Sequence, residues 1–176
     1  LRAVKNVPDA YEVYNEPSTV EMFAKLGVLA PNEVKARFEI LNETYVKKLQ
    51  IEARIIGDIC LSHVIPAAVR YQNILIENVK GIKEIFADDY VRYCSSELET
   101  LKKISQFIND ISADVELLVE ARKKANRIED IAERAKVYSH SVKDMMDKVR
   151  ESADNLEMLI DNEMWPLPKY RELLFF

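Results

Sequence analysis

The chain has 176 residues, of which 48% are hydrophobic and 31% are charged, with only three glycines and six prolines. This length is enough for one domain with a sizeable core, and the composition is typical of long amphipathic helices, which excludes a disordered chain and a turn-rich β fold. The net charge of −5 gives no reason to expect nucleic acid as a partner.

The first predicted segment is an irregular connector over residues 1–17. Ser18 then matches the N-cap of a capping box, with Glu21 placed to reach back to it. A short helix is therefore predicted, and it should end at Gly27, because glycine is a favoured helix terminator. We divide the chain into this connector and a helical domain over residues 18–176.

A long helical run is predicted next, from Pro31 to Phe86. We expect one interruption, at Pro66, which lacks a backbone donor and crowds the carbonyl four residues back. Upstream of it, one face is predicted to carry Leu41, Tyr45, Leu49, Ile56, Ile59 and His63. The shorter arm downstream carries Val69, Ile74, Ile76 and Val79. Gly57 weakens the helix by ~1 kcal/mol relative to alanine, and its expected use is the close approach of another helix.

Two further helices are predicted after a turn at Ala87–Asp89. The first has a heptad-like stripe of Leu101, Ile104, Ile108, Ile111, Val115, Leu118 and Ala125. A tight connection at Asn126 then predicts an antiparallel return. The returning helix carries Ile128, Ile131, Ala135, Tyr138, Val142, Met145, Val149, Leu156 and Leu159, and it should end near Trp165, before Pro166. The pattern predicts an all-α antiparallel bundle of about three long helices, plus a shorter arm broken off at Pro66.

The C-terminal tail is unusually apolar, whereas most chain ends are polar and frayed. Its large apolar residues are Trp165, Leu167, Tyr170, Leu173, Leu174, Phe175 and Phe176. The tail could fold back over the end of the bundle, or it could anchor the chain to another subunit or domain. We expect residues 165–170 to pack on their own bundle and residues 173–176 to reach a neighbouring subunit or domain.

The sequence offers no defensible catalytic or metal-binding set. A bundle-type di-metal site requires Glu-x-x-His, but Cys60 stands three residues before His63. We expect His63 to be packed and hydrogen-bonded, and His140 to be exposed. Neither a glycine-rich phosphate loop nor a nucleophile motif is recognisable. Carboxylates such as Glu43 interleave with lysines such as Lys47, which is typical of a solvated, ion-paired helix face.

The cysteine content and the absence of export signals indicate the cellular setting. Cys60 and Cys94 are too few for a disulfide framework and form no CxxC pair. We therefore expect a reduced, cytoplasmic environment. No apolar run approaches the ~20 residues of a membrane span, and no basic-then-apolar leader is recognisable. Because the chain begins with Leu1 rather than methionine, we interpret it as a piece of a longer protein.

Several long segments resemble one family in the same order along the chain. They are STVEMFAKLGV at residues 18–28, KLQIEARIIGDICLSHVIPAAVRYQNILIENVKGIKEIF at residues 48–86, VEARKKANRIED at residues 119–130 and WPLPKYRELLF at residues 165–175. These segments resemble the C-terminal region of type III glutamine synthetases. Matches such as HVIPAAVRYQN are far more specific than a shared heptad pattern.

The resemblance implies a parent that is a large ATP-dependent ligase, which joins ammonia to glutamate with a divalent metal (Mg²⁺ or Mn²⁺) and assembles as stacked rings. The nucleotide, metal and glutamate sites of that family lie in an upstream catalytic domain. No catalytic, cofactor-binding or metal residue is therefore assigned to this chain, and it should be inactive alone. The implied partners are its own catalytic domain and neighbouring subunits of a homo-oligomer, with neither nucleic acid nor membrane.

Two other hypotheses remain at this stage. The chain could be a free-standing helical adaptor or signalling bundle, which the parent reading frame would decide. Alternatively, His63, Asp58 and Glu52 could line a small regulatory pocket.

Overall fold

The computed structural model describes residues 4–169 and 172–174. All regular secondary structure in this part of the chain is helical, and the prediction of an all-α bundle is confirmed. The α-helices are α1 (Val7–Tyr11), α2 (Pro17–Lys25), α3 (Pro31–Ile59), α4 (Ile65–Phe86), α5 (Tyr90–Tyr93), α6 (Ser95–Asn126), α7 (Ile131–Val137) and α8 (Lys143–Leu159). Two 3₁₀ turns (Glu12–Asn15 and Ala87–Asp89) and two π-helical turns (Cys60–Val64 and Tyr138–Val142) connect some of them.

The chain separates into two compact units. Unit 1 consists of residues 4–54 and 117–146, and unit 2 consists of residues 55–116, 147–169 and 172–174. Helices α3 and α6 each contribute residues to both units.

The predicted interruption near Pro66 is only partly met, because the helix widens to a π-helical turn there but remains helical from Pro31 to Tyr93. Helix α3 ends at Ile59, the π-helical turn follows, and Pro66 lies in the first turn of α4. The backbone N–H of Ile65 donates to the carbonyl of Cys60, five residues back. The first turn of a helix needs no donor from proline. The chain therefore remains helical past a residue that cannot continue the α-helical bonding.

The buried face of α3 differs from the predicted one. Its buried residues in unit 1 are Val34, Phe38, Asn42, Val46, Leu49 and Ala53, and in unit 2 the face continues with Gly57, Cys60 and Val64. Of the predicted face only Leu49 is buried, so the prediction was wrong by about one residue in phase. His63 is exposed, and its predicted packing is wrong as well. Apolar residues occur on both sides of this helix, so periodicity alone could not select the buried side.

The buried position of Gly57 faces α6. A Cβ placed on Gly57 would lie 3.4 Å from Val115 Cγ1 of α6, which is ordinary van der Waals contact, so the helices pack here without a separation that only glycine would permit. In the same unit, Gln72 Nε2 donates to Ser105 Oγ at 2.8 Å. Residue numbers rise from Gly57 to Gln72 along the first helical segment, while those of their partners fall from Val115 to Ser105 along the second. The two segments are therefore antiparallel.

The predicted stripes on the later helices are largely confirmed. Buried members of the first are Ile104, Ile111, Val115, Leu118 and Ala125, and buried members of the second are Ala135, Tyr138, Val142, Val149 and Leu156. By contrast, Val69, Ile74 and Ile76 on α4 are exposed, and Ala67 and Ala68 are the buried residues of that helix.

Helix boundaries were predicted well where a strong stop signal exists. Gly27 has φ +65°, the left-handed conformation that ends a helix, and α6 ends at Asn126 as predicted. The predicted N-cap at Ser18 is wrong, because α2 begins at Pro17 with Glu16 as its N-cap. Helix α8 ends at Leu159 and does not reach Trp165.

The connector is more ordered than its sequence suggested. Over its described part, residues 7–15 form α1 and a 3₁₀ turn. The side chain of Asn6 caps α1 by accepting the N–H of Asp9 at 2.8 Å. Asn and Asp side chains favour such local bonds, which compensate for the shortness of the helix.

One apolar window was not recognised in the sequence. The helical run Pro31–Tyr93 contains a stretch whose length and composition would suffice to cross a membrane. Core helices of soluble proteins meet the same criterion, so this window is weak evidence for a span.

Leu156→Ala should lower the free energy of unfolding by about 2–5 kcal/mol, because it empties a fully buried site in unit 2. Met158→Ala, on the same helix but 83% exposed, should change it by no more than about 0.5 kcal/mol. Urea unfolding followed by circular dichroism measures both variants. Equal effects would contradict the assigned face of α8.

Candidate interaction surface

The first part of the apolar tail is folded onto unit 2. Trp165 is only 8% exposed, and its backbone N–H donates to the carbonyl of Asp161 at 3.0 Å. The Asp161 carboxylate also accepts the N–H of Glu163 at 2.7 Å. Aspartate commonly stabilises turns in this way. The chain therefore turns immediately after α8 and places the indole in the core of the unit.

Lys169 holds the tail against the end of α8. Its Nζ donates to the backbone carbonyls of Glu157 at 2.9 Å and Ile160 at 3.2 Å. The last carbonyls of a helix have no partner within the helix, and a cation there also complements the helix dipole. Lys169 and Glu172 form a further turn, in which the Lys169 carbonyl accepts the N–H of Glu172 at 2.8 Å.

Beyond this turn the described apolar residues, Leu173 and Leu174, face solvent. Leu173 is 54% exposed and Leu174 is 70% exposed, whereas Leu167 is partly buried. Tyr170, Phe175 and Phe176, which we also predicted to belong to this surface, lie outside the described residues. The described part of the tail thus consists of a packed segment, 165–169, followed by exposed leucines.

The indole of Trp165 has one unusual feature. Its Nε1 is buried and has no hydrogen-bond partner among the described residues. Such unpaired buried donors are uncommon in folded proteins.

The structure also contains exposed apolar positions that sequence reasoning missed. One set is at the connection between α4 and α5 and consists of Ile85, Phe86, Val91 and Tyr93. Phe86 and Tyr93 stack there with ring centroids 4.1 Å apart. A second set is in unit 1 and consists of Met22, Leu26, Val28 and Ile40. No local sequence signal distinguishes an exposed apolar residue from one in a core.

The described residues give little support for a metal site or a nucleophilic side chain. No group of three or more His, Cys, Asp or Glu side chains there could hold a metal ion. Burial, together with the nearby Asp154 carboxylate, raises the pKa of Cys60 to about 11, so the thiol is protonated at neutral pH. Glu52, Asp58 and His63 are all exposed, and exposed side chains on a helix surface do not by themselves form the regulatory pocket that we considered.

The connector is fixed to the C-terminal half of unit 1 by polar contacts. Glu12 pairs with Lys136 at 2.8 Å, and this hydrogen bond raises the pKa of Lys136. Asn6 Nδ2 lies 3.3 Å from Nε2 of His140. His140 is exposed, as predicted, and it reaches the connector from the second π-helical turn.

Comparison with known proteins places these surfaces in a larger context. Residues 1–83 match the family model for the glutamine synthetase C-terminal domain. A glutamine synthetase of Bacteroides fragilis is 39% identical over 176 residues, covering 99% of this chain and 24% of the relative. The type-3 glutamine synthetase of Dictyostelium discoideum is 28% identical, again over 99% of this chain and 24% of the relative.

The chain is similar over nearly its whole length to the C-terminal region of glutamine synthetases. The resemblance inferred from the sequence is thereby confirmed, including its type III character. The chain spans about a quarter of the length of these relatives and matches their C-terminal region.

Lys169→Met should loosen the packed part of the tail, because the carbonyls of Glu157 in α8 and of Ile160 just after it lose a charged donor worth about 1.5–3 kcal/mol each. Trp165 is the only tryptophan, so acrylamide quenching of its fluorescence should increase and its emission should shift to longer wavelength. Lys103→Met is the control, since Lys103 forms an exposed ion pair with Glu99 in the same unit. Unchanged quenching in Lys169→Met would show that the prolines alone hold the indole.

Proposed function

We propose that this chain is the non-catalytic C-terminal helical domain of a type III glutamine synthetase. The parent enzyme would join ammonia to glutamate with ATP and a divalent metal, Mg²⁺ or Mn²⁺, in its upstream catalytic domain, and it would be soluble and cytoplasmic. The domain would support that catalytic domain and contribute to packing between subunits of a homo-oligomer. The observation that carries the proposal is the match over 99% of this chain to 24% of each relative.

The surface chemistry of the domain supports a structural role. Many of its carboxylates pair with lysines one helical turn away, as in Glu43–Lys47, Glu99–Lys103 and Glu120–Lys123. These pairs are solvent-exposed, and exposed helix pairs contribute only modestly to stability and form no substrate site. The described cysteines are buried, which leaves them poorly placed for nucleophilic attack.

The apolar tail supports a role in subunit packing. The segment that includes Trp165 and Lys169 is bound to its own unit, whereas Leu173 and Leu174 are exposed. Burying a leucine side chain stabilises an assembly by roughly 1.5–3 kcal/mol. We propose that residues 173–176 contact a neighbouring subunit or the catalytic domain, with the packed segment fixing where they emerge.

The purified 176-residue chain should not form glutamine when it is supplied with ATP, glutamate, ammonia and Mg²⁺. Deleting the same region from the parent enzyme should reduce activity through loss of assembly, because the active-site groups lie upstream. Turnover by the isolated chain above background would refute the proposal. So would a deletion mutant that assembles and reacts like the intact enzyme.

Removing residues 173–176 should leave the Tm of the isolated chain nearly unchanged, since Leu173 and Leu174 contribute little to its core. The same truncation should weaken oligomers of the parent enzyme, which analytical ultracentrifugation measures. Met158→Ser is the matched control, because Met158 is exposed in the same unit but lies outside the tail. If the truncation unfolds the isolated chain and the parent enzyme still assembles, residues 173–176 belong to the hydrophobic core of the domain and not to an interface.

A further inference from the structure

Helix α2 has little burial within the described structure, where its Phe23 stacks on Tyr14 of the connector. None of its nine residues, Pro17–Lys25, is buried. Its sequence is nevertheless amphipathic, and it continues through Leu26 into the turn at Gly27. Isolated helices shorter than about 12–15 residues are only marginally stable in water, and helices in proteins owe most of their stability to tertiary packing. A nine-residue amphipathic helix without a buried residue therefore indicates a partner outside this structure.

Several exposed apolar side chains lie on α2 and on the segments that follow it, and one of them lines a groove. Met22, Leu26, Val28 and Ile40 are between 47% and 68% exposed, and we call these four residues the apolar ledge. A groove of about 450 Å³ adjoins it and is lined by Tyr14, Leu29, Glu33, Ala36, Arg37, Ile40 and Leu41. All of these residues belong to unit 1.

The groove is directly connected to the connector. Tyr14, which lines the groove, belongs to the 3₁₀ turn of the connector and stacks on Phe23 of α2, with ring centroids 6.5 Å apart. The connector in turn is bound to unit 1 through the Glu12–Lys136 ion pair. The chain that enters this unit is thus held beside the apolar ledge.

We propose that the apolar ledge is the docking surface for the upstream catalytic domain of the same polypeptide. The inference rests on the proposed function and specifies which surface of the domain meets its partner. A domain joined through the connector is present at a high effective concentration at any surface next to that connector. About three quarters of the length of the relatives lies outside this chain. A tethered domain therefore has both the surface area and the proximity to cover the ledge.

Hydrogen–deuterium exchange tests the proposal on α2 itself. In the isolated 176-residue chain, the backbone amides of residues 20–27 should exchange rapidly, because nothing covers the helix. In the full-length parent enzyme the same amides should exchange at least about tenfold more slowly, which is about 1.4 kcal/mol of added protection. Equal exchange in the two proteins would overturn the proposal.

A matched pair of variants tests the side chains. Leu26→Glu combined with Ile40→Glu should abolish the extra protection in the parent enzyme and leave the Tm of the isolated chain unchanged, because both residues are already more than half exposed. Leu117→Glu is the control. Leu117 is 55% exposed in unit 1 but lies on α6 and does not line the groove, so the protection of α2 should persist. Loss of protection in both variants, or in neither, would contradict the assignment.

The concentration dependence of exchange identifies a different occupant. If α2 becomes protected in the isolated chain as its concentration rises, a second copy covers the ledge and the proposal is wrong. The proposed function is tested separately by the deletion described above. If the deletion abolishes assembly but the amides of α2 exchange rapidly in the intact parent enzyme, the docking proposal is refuted and the proposed function is retained.

Discussion

The fold depends on burying one narrow stripe of small and apolar side chains along α3 and into α4. In unit 2 this stripe is unusually small in volume, with Gly57, Cys60, Ala67 and Ala68 among its members. The Cβ that Gly57 lacks would lie 3.4 Å from a side-chain atom of Val115, which is ordinary van der Waals contact. Dispersion contacts are individually weak but numerous, so even small side chains contribute to packing along this stripe.

The π-helical turn at Cys60–Val64 makes that stripe compatible with Pro66. An α-helical turn would require a proline N–H that does not exist, and the ring would crowd the preceding turn. Widening the turn moves Pro66 into the first turn of a new α-helical segment, where no donor is needed. Cys60 and Val64, at the two ends of the wide turn, both remain buried, so the buried face is kept across the change in helical geometry.

Because the buried stripe is narrow, much apolar surface lies outside the core. Val69, Ile74 and Ile76 on α4, the set around Phe86 and Tyr93, and the ledge beside α2 are all exposed. Monomeric soluble proteins rarely leave large contiguous apolar patches uncovered. The distribution fits a domain that functions as part of a larger polypeptide, as the length of its relatives indicates. In unit 1, by contrast, the large side chain of Tyr138 is fully buried, and its hydroxyl donates to Oδ1 of Asn126 at 2.7 Å.

The sequence by itself determined the helical class, the ends of helices at Gly27, Phe86 and Asn126, the core stripes of α6 to α8 and the family. These features depend on local rules: glycine adopts positive φ, proline removes a donor, and apolar residues recur at helical spacing. Only the tertiary structure decided which face of α3 is buried, that His63 is exposed, that α8 ends at Leu159 and that no residue of α2 is buried. Those outcomes depend on which neighbour can approach most closely, and a helix with apolar residues on several sides does not carry that information in its own spacing.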